Sequence, residues 1–479
     1  MKRLFSYILF CLAGLSALSQ DFDRAFLGQD EIVGTARYVG MAGAFTALGG
    51  DVSAAKDNPA ALGIYRRGEV SVSFGGRFDN AAVNMSPLIM NKGELNQLSW
   101  VLNWRKDNQQ KGVIANSLMF GYHRLNSYGR DAAYKGTFAT SQTDVMADLA
   151  TGVQAGAMYD PNAWLNDTIG WLPIAGAQAR LLTTDSAGTW FPLLDKNEKV
   201  TSQLNVIESG SNNEYSVAWG CNIGNRWYVG VGMSLRTITA RRDVTYRETF
   251  EKGGDYMLHS YYAASGLGWG MSAGMMVRPT DFMRLGLSLH TPTWYTLKFS
   301  NDCDIQSSEI TGKLYSVGNS YRESHYALPL RTTAGVAFQI STLGLISLEY
   351  DYAYRNDTCL GDMHTLKAGT EWVLKNHWFL HAGYAYRSNF QSADKKYYPS
   401  YTTTRTDTDF SNQKAQHIVS IGADFRSNRW VIGVSYQFRL EKSHVYLHEL
   451  QSERKSLSEP FQLNATTHRI VATFAWRYR

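Results

Sequence analysis

The chain has 479 residues, with 47 Lys and Arg against 42 Asp and Glu and a formal net charge of +5. So slight a balance over so long a chain excludes a dedicated nucleic-acid binder. Aromatics at 13%, 42 glycines, only 10 prolines and no eighteen-residue apolar run exclude a bundle of membrane helices. They match a transmembrane β-barrel, whose strands are aromatic and glycine-rich.

The first element is a leader. Met1-Lys2-Arg3 is basic, residues 4–15 are apolar, and Ala17-Leu18-Ser19 offers small residues for cleavage before Gln20. Residues 1–19 therefore read as a Sec-type signal peptide, too short to anchor the chain. Cys11 has no lipoprotein context. Cleavage removes Lys2 and Arg3 and no acid, so +5 falls to +3. Residues 20–66 follow, rich in Gly and Ala and closing on "DVSAAKDNPAALG" (51–63). Lying before the first strand, they are expected in the barrel mouth or lumen.

The wall is expected over 67–479 as fourteen antiparallel strands, near 68–79, 95–105, 113–124, 213–223, 226–245, 263–278, 281–299, 326–341, 344–355, 364–374, 377–388, 415–425, 429–442 and 465–478. Short links alternate with long ones, so both chain ends fall on the short-turn side, which in such barrels is the periplasm. Three strands open alike: "NRWYVGVGMSLR" (225–236), "NHWFLHAGYAYR" (376–387) and "NRWVIGVSYQFR" (428–439). Asn tolerates the turn, and Trp begins a period-two apolar row. Trp227, Val231 and Met233 share one face; so do Trp378, Leu380 and Tyr384, and Trp430, Ile432 and Tyr436. In the last strand Ile470, Ala472, Phe474, Trp476 and Tyr478 form the corresponding row. Cys221, in the row of Val217, Trp219 and Ile223, reads as a small lipid-facing hydrophobe. A long outer excursion spans 125–212. Its helical patches include Val145, Met146, Leu149, Ala150 and Val153 and the apolar run 164–182, read either as a binding surface or as a lid packed on the rim.

Candidate chemistry is thin. Gly270-Met271-Ser272-Ala273-Gly274 fits G-x-S-x-G, but a nucleophile elbow needs a strand-to-helix turn and this lies in mid-strand. His444, His448 and Glu449 do not follow a metalloprotease order, and Asp302, Asp304 and Glu309 lack the glycine and further ligands of a calcium loop. No metal, no cofactor and no enzymatic activity are expected. Cys303 and Cys359 fall in neighbouring outer loops and either pair in an oxidising compartment or stay free. Arg236, Arg387, Arg439 and Arg477 point inward, toward a ligand carboxylate or toward acids of the inner segment.

The stretch "ARYVGMAGAFTALGGDVSAAKDNPAALG" (36–63) resembles the N-terminal hatch of the FadL/TodX family of outer-membrane transporters. Asn58-Pro59-Ala60 stands where that family carries its Asn-Pro-Ala motif. The resemblance implies a plugged barrel in a Gram-negative outer membrane, in contact with membrane lipid and lipopolysaccharide. It implies uptake of a hydrophobic, fatty-acid-like small molecule, with lateral exit through the wall. The alternative is a barrel subunit or docking platform of a secretion or assembly complex, whose protein partners the sequence does not name.

Overall fold

A computed structural model describes residues 27–28, 30–82, 90–106, 111–166, 168–192, 198–308, 315–354, 362–375, 377–389, 404, 406–407, 410–447 and 461–478. The expected signal peptide (1–19) and Cys359, Glu309, His448 and Glu449 lie outside the described residues.

Fourteen strands close into one antiparallel barrel. They are β1 (Gly68–Ala82), β2 (Met90–Arg105), β3 (Val113–Ser127, continued by Arg130–Phe138), β4 (Val200–Ile223), β5 (Trp227–Phe250), β6 (Asp255–Thr280) and β7 (Met283–His290 and Trp294–Ser307). Then come β8 (Tyr315–Ala327 and Leu330–Ile340), β9 (Gly344–Tyr354), β10 (Met363–Lys375), β11 (Trp378–Arg387), β12 (Phe410–Arg426), β13 (Trp430–Tyr446) and β14 (Phe461–Tyr478). Closure is made by β1 against β14, in register from Gly68↔Tyr478 to Ala82↔Asn464. No sheet edge is left in that seam, as a spanning sheet requires.

The two stretches read as single strands, 281–299 and 326–341, are each broken. Pro292 and Pro329 have no N–H to give a ladder, so each interrupts its strand. The wall stays joined because Thr291 N donates to the Met271 carbonyl and Leu328 N to that of Thr293, both at 2.9 Å. Strands β3 and β4 run on into the stretch read as outer excursion, pairing from Arg130↔Glu208 to Phe138↔Val200. Strands β4 to β6 hold 24 to 26 residues. At ~3.3 Å per residue each reaches roughly 80 Å, well past the hydrocarbon layer.

The outward rows are as periodicity predicts: Trp227, Val231, Met233, Leu380, Ile432 and Phe474 are exposed, as are most of their row neighbours. Trp104, Trp227, Trp378, Trp430 and Trp476 mark the short-turn interface. Toward the long-loop end, three tyrosines meet histidines on the next strand, Tyr350–His364, Tyr384–His417 and Tyr436–His468, at 2.7, 2.8 and 2.7 Å. Cys221 departs from its reading. It shares the outward register of Val217 and Trp219 but is itself buried, flanked by Asn116 and Val229.

Outside the membrane, helices Gln142–Ala150 and Trp171–Gln178 pack onto the projecting strands. Val145, Met146, Trp171, Leu172 and Ile174 are buried with Leu204, Val206, Tyr246 and Tyr256 in one apolar core. The apolar run of 164–182 thus covers its own strands. Inside the ring, residues 30–67 fill the lumen at the short-turn half, where Tyr38, Val39, Met41, Phe45 and Ala47 are buried with inward wall residues such as Met276, Ala337 and Val471.

Candidate functional site

The site is the contact between this inner segment and the wall. Its centre is Asn58-Pro59-Ala60. Asn58 is fully buried and caps a short 3-10 helix, Pro59–Ile64: its Oδ1 accepts from Ala60 N at 3.0 Å, and Pro59 fills the first turn, where no N–H is needed. The Asn58 amide then donates to the Thr46 carbonyl at 2.7 Å, tying the helix to the preceding loop. The wall admits this turn only because it is bare there. A Cβ on Gly274 would overlap Asn58 Oδ1, and one on Gly230 would overlap the Pro59 carbonyl carbon. The last glycine of the G-x-S-x-G match is therefore a seat for the inner segment, and Ser272 lies in mid-strand, opposite Gly232.

Charged clamps surround that seat. Glu31 meets Arg439 at 2.6 Å, Arg77 at 3.4 Å, and Arg469. Arg37 meets Glu371 at 2.6 Å, and Glu371 is also held by Arg426 at 2.7 Å. Asp57 accepts from the Tyr38 hydroxyl and pairs with Lys56 at 3.1 Å and Arg331 at 3.3 Å. Glu349 of the wall takes the backbone N–H groups of Phe45 and Thr46, at 2.9 and 2.8 Å, and the Lys367 ammonium at 2.7 Å. Burial by itself would raise the Glu31 carboxyl, but the guanidiniums of Arg469, Arg77 and Arg439 outweigh it and hold the group well below the usual carboxylate range. Burial likewise opposes ionisation of Asp57, and Lys56 and Arg331 overcome it in the same sense.

The four arginines read as inward-pointing all line the lumen, and each has a partner. Arg236 bonds Glu214 at 2.9 Å and Asp30 at 3.3 Å; Arg387 donates to the Asp30 carbonyl at 2.9 Å; Arg439 holds Glu31. Arg477 sits on the short-turn side with Glu69 at 2.8 Å. Arg236, Arg387 and Arg439 therefore converge on residues 30–31. Glu31, Arg77, Arg469, Asp57 and Glu349 escaped sequence reading. For Arg77, Glu349 and Arg469 the usable signal was a charged residue at an inward strand position, since a lumen residue has no lipid reason to be apolar; Glu31 and Asp57 lie in the inner segment, off the strands, and carried no such signal. Cys303, expected in an outer loop, instead lies within β7 between Ser260 and Val317, as a buried free thiol.

Two cavities flank the inner segment. One, of about 90 Å³, lies toward the long loops between Asp30, Tyr38, Arg236, Arg331 and Pro329. The other, of about 390 Å³, opens toward the short turns among Leu48, Ile64, Arg284, Leu345 and Val373. Among the described residues no group of His, Cys, Asp and Glu is placed to hold a metal ion, and no helix is long and apolar enough to cross a membrane.

No family model and no curated protein sequence matches the chain. Solved structures do. The P. putida toluene transporter TodX superposes with a TM-score of 0.54 at 12% identity, covering 94% of this chain and 100% of that one. A Pseudomonas aeruginosa FadL homologue gives 0.57 at 10% identity, with the same coverage. Over 94% of its length the chain has the fold of the FadL/TodX outer-membrane transporters.

Proposed function

We propose that the protein is an outer-membrane channel for hydrophobic small molecules, with residues 20–66 as its plug. The observation that carries this reading is a closed barrel whose lumen is filled, seat by seat, by its own N-terminal segment. A water-filled pore would serve polar solutes and needs no such filling; an apolar solute partitions out of water and gains from packed contacts. TodX is a toluene transporter, and that shared fold supports the same class of cargo here. A fatty-acid-like cargo is the finer reading, and the protein acts by binding and passage, without catalysis.

The test is uptake into proteoliposomes. The protein is expected to admit radiolabelled toluene or laurate while excluding a labelled disaccharide. Disaccharide entry, or no entry of either hydrophobic solute, overturns the proposal. A stoichiometric protein partner with no hydrophobic uptake would point to the docking platform instead.

A further inference from the structure

Three hairpins carry one motif on the lipid-facing wall, at its long-loop end. Tyr352 stands opposite His364, Tyr386 opposite His417, and Phe438 opposite His468. In each hairpin the tyrosine two residues back, Tyr350, Tyr384 or Tyr436, shares a hydrogen bond with the imidazole Nδ1. That bond leaves Nε2 of each ring to its surroundings, at the depth where aromatic belts meet lipid head groups.

Below the belt the wall is hollowed. A groove of about 450 Å³ runs over β8 to β11, with Ala334 and Ala368 standing between the larger Val336, Leu348 and Leu366. Tyr350 and Tyr384 border it on the long-loop side. Leu348, Leu366 and both tyrosines are exposed, so the groove opens to lipid. Glu349 and Lys367 touch it as well, but they point inward and pair with each other at 2.7 Å.

Beyond the belt the same face turns basic. Lys442, exposed on β13, is the diagonal neighbour of His417, whose direct partner is Leu440; such neighbours stand about 7–8 Å apart. Lys414, half-buried in the bulge of β12, lies within electrostatic reach of His444 on that face. Neither lysine forms an ion pair among the described residues. The outward positions around them, Leu440, His444, Asn464 and Thr466, include no acid. Asp362, which precedes β10, accepts from the Tyr352 hydroxyl at 2.6 Å.

We propose that this stretch of outer wall binds one lipid of the lipid A class, with an acyl tail in the groove and phosphate on Lys442, Lys414 and His417. Apolar groove and basic patch are complementary to the two halves of such a molecule. Their offset selects it. From Leu366 on β10 to Lys442 on β13 is three strand spacings, roughly 14 Å. A glycerophospholipid carries its phosphate over its own tails, whereas a phosphorylated disaccharide with several tails spans the offset. The site rests on the outer-membrane reading and is separate from the cargo path, because groove and patch face away from the lumen.

The test is native mass spectrometry of the purified full-length protein in detergent, with added bisphosphorylated lipid A or phosphatidylethanolamine. One lipid A per chain is expected, retained at least tenfold over phosphatidylethanolamine. Lys414→Gln with Lys442→Gln is expected to cut that retention at least fivefold. Ala368→Trp, which fills the groove, should do the same, while Arg241→Gln, an exposed position on β5 across the barrel, should change nothing. Equal retention of the two lipids, unchanged retention in the lysine pair, or an equal loss in Arg241→Gln overturns the site. Toluene uptake by the lysine pair should match that of the unaltered protein. Failure of the site therefore leaves the transport reading standing, and failure of uptake leaves the site standing.

Discussion

Two regions pack against this barrel, and they do so in different proportions of apolar contact and charge. The outer cap, built on the helices Gln142–Ala150 and Trp171–Gln178, is joined to its strands by an apolar core in which Trp171, Leu172, Ile174, Tyr246 and Tyr256 are buried. The plug also has an apolar core against the wall, with Tyr38, Val39, Met41 and Phe45 buried beside Met276 and Val471, and it is clamped besides by charge: Glu31 to three arginines, Arg37 to Glu371, Asp57 to Arg331. An apolar core resists opening under most conditions because its loss exposes area to water. A buried ion pair is near balance between desolvation and attraction, so it positions a segment with less net adhesion. The cap rests on burial; the plug combines burial with charges that fix its place.

Removing residues 20–66 tests that contrast most severely. The barrel is expected to insert still, because its strands pair with one another, but single-channel recordings should show an open pore where the full chain shows almost none. Unchanged conductance would mean the segment does not seal the lumen. Next comes Glu31→Gln, which leaves Arg77, Arg439 and Arg469 without their shared carboxylate. Breaking a buried pair costs about 3–5 kcal/mol, and the expected readout is trypsin cleavage within residues 30–67 with the cap intact. Ile174→Ala is the mirror case: a core truncation of about 2–5 kcal/mol, loosening the cap in hydrogen exchange and leaving the plug protected. If either variant loosened both regions equally, the two would be one cooperative unit.

Smaller effects follow. Gly383→Val puts a side chain against the Met41–Ala42 backbone, and overpacking of this kind costs about 1–3 kcal/mol; plug protection should fall while barrel melting hardly moves. Acid should act on the plug first. Glu31 titrates below its ordinary value of 4.5 in the folded protein, so its stabilisation is complete above that value and is lost as pH falls through the lower, folded one. Plug protease resistance should hold flat from pH 7 to 5 and decline only in stronger acid. A decline already at pH 6 would assign the anchoring to another group.

The wall was legible because a lipid-facing row must be apolar at every second residue, so Trp430, Ile432, Val434 and Tyr436 announce their strand without help. The broken strands β7 and β8 were not. Pro292 and Pro329 lie inside stretches that otherwise alternate as strands, and only neighbouring strands show that the ladder continues on either side. The extension of β3 and β4 was equally hidden. Beyond the membrane no lipid demands alternation, so Arg130 to Phe138 read as loop.

In the candidate site, Asn58-Pro59-Ala60 stood out as a motif, and Asn58 as a cap is a local property of chain chemistry. Its seat is not local. Gly230 and Gly274 are more than a hundred and fifty residues away, and their lack of a side chain acquires meaning only when the barrel brings them against Pro59 and Asn58. The same holds for Glu31, whose partners come from β1, β13 and β14. The sequence by itself determined the barrel, its strand count and its lipid face, because period-two burial is imposed residue by residue by the solvent outside. The tertiary structure alone decided which inward charges meet, because lumen contacts join strands that are distant along the chain.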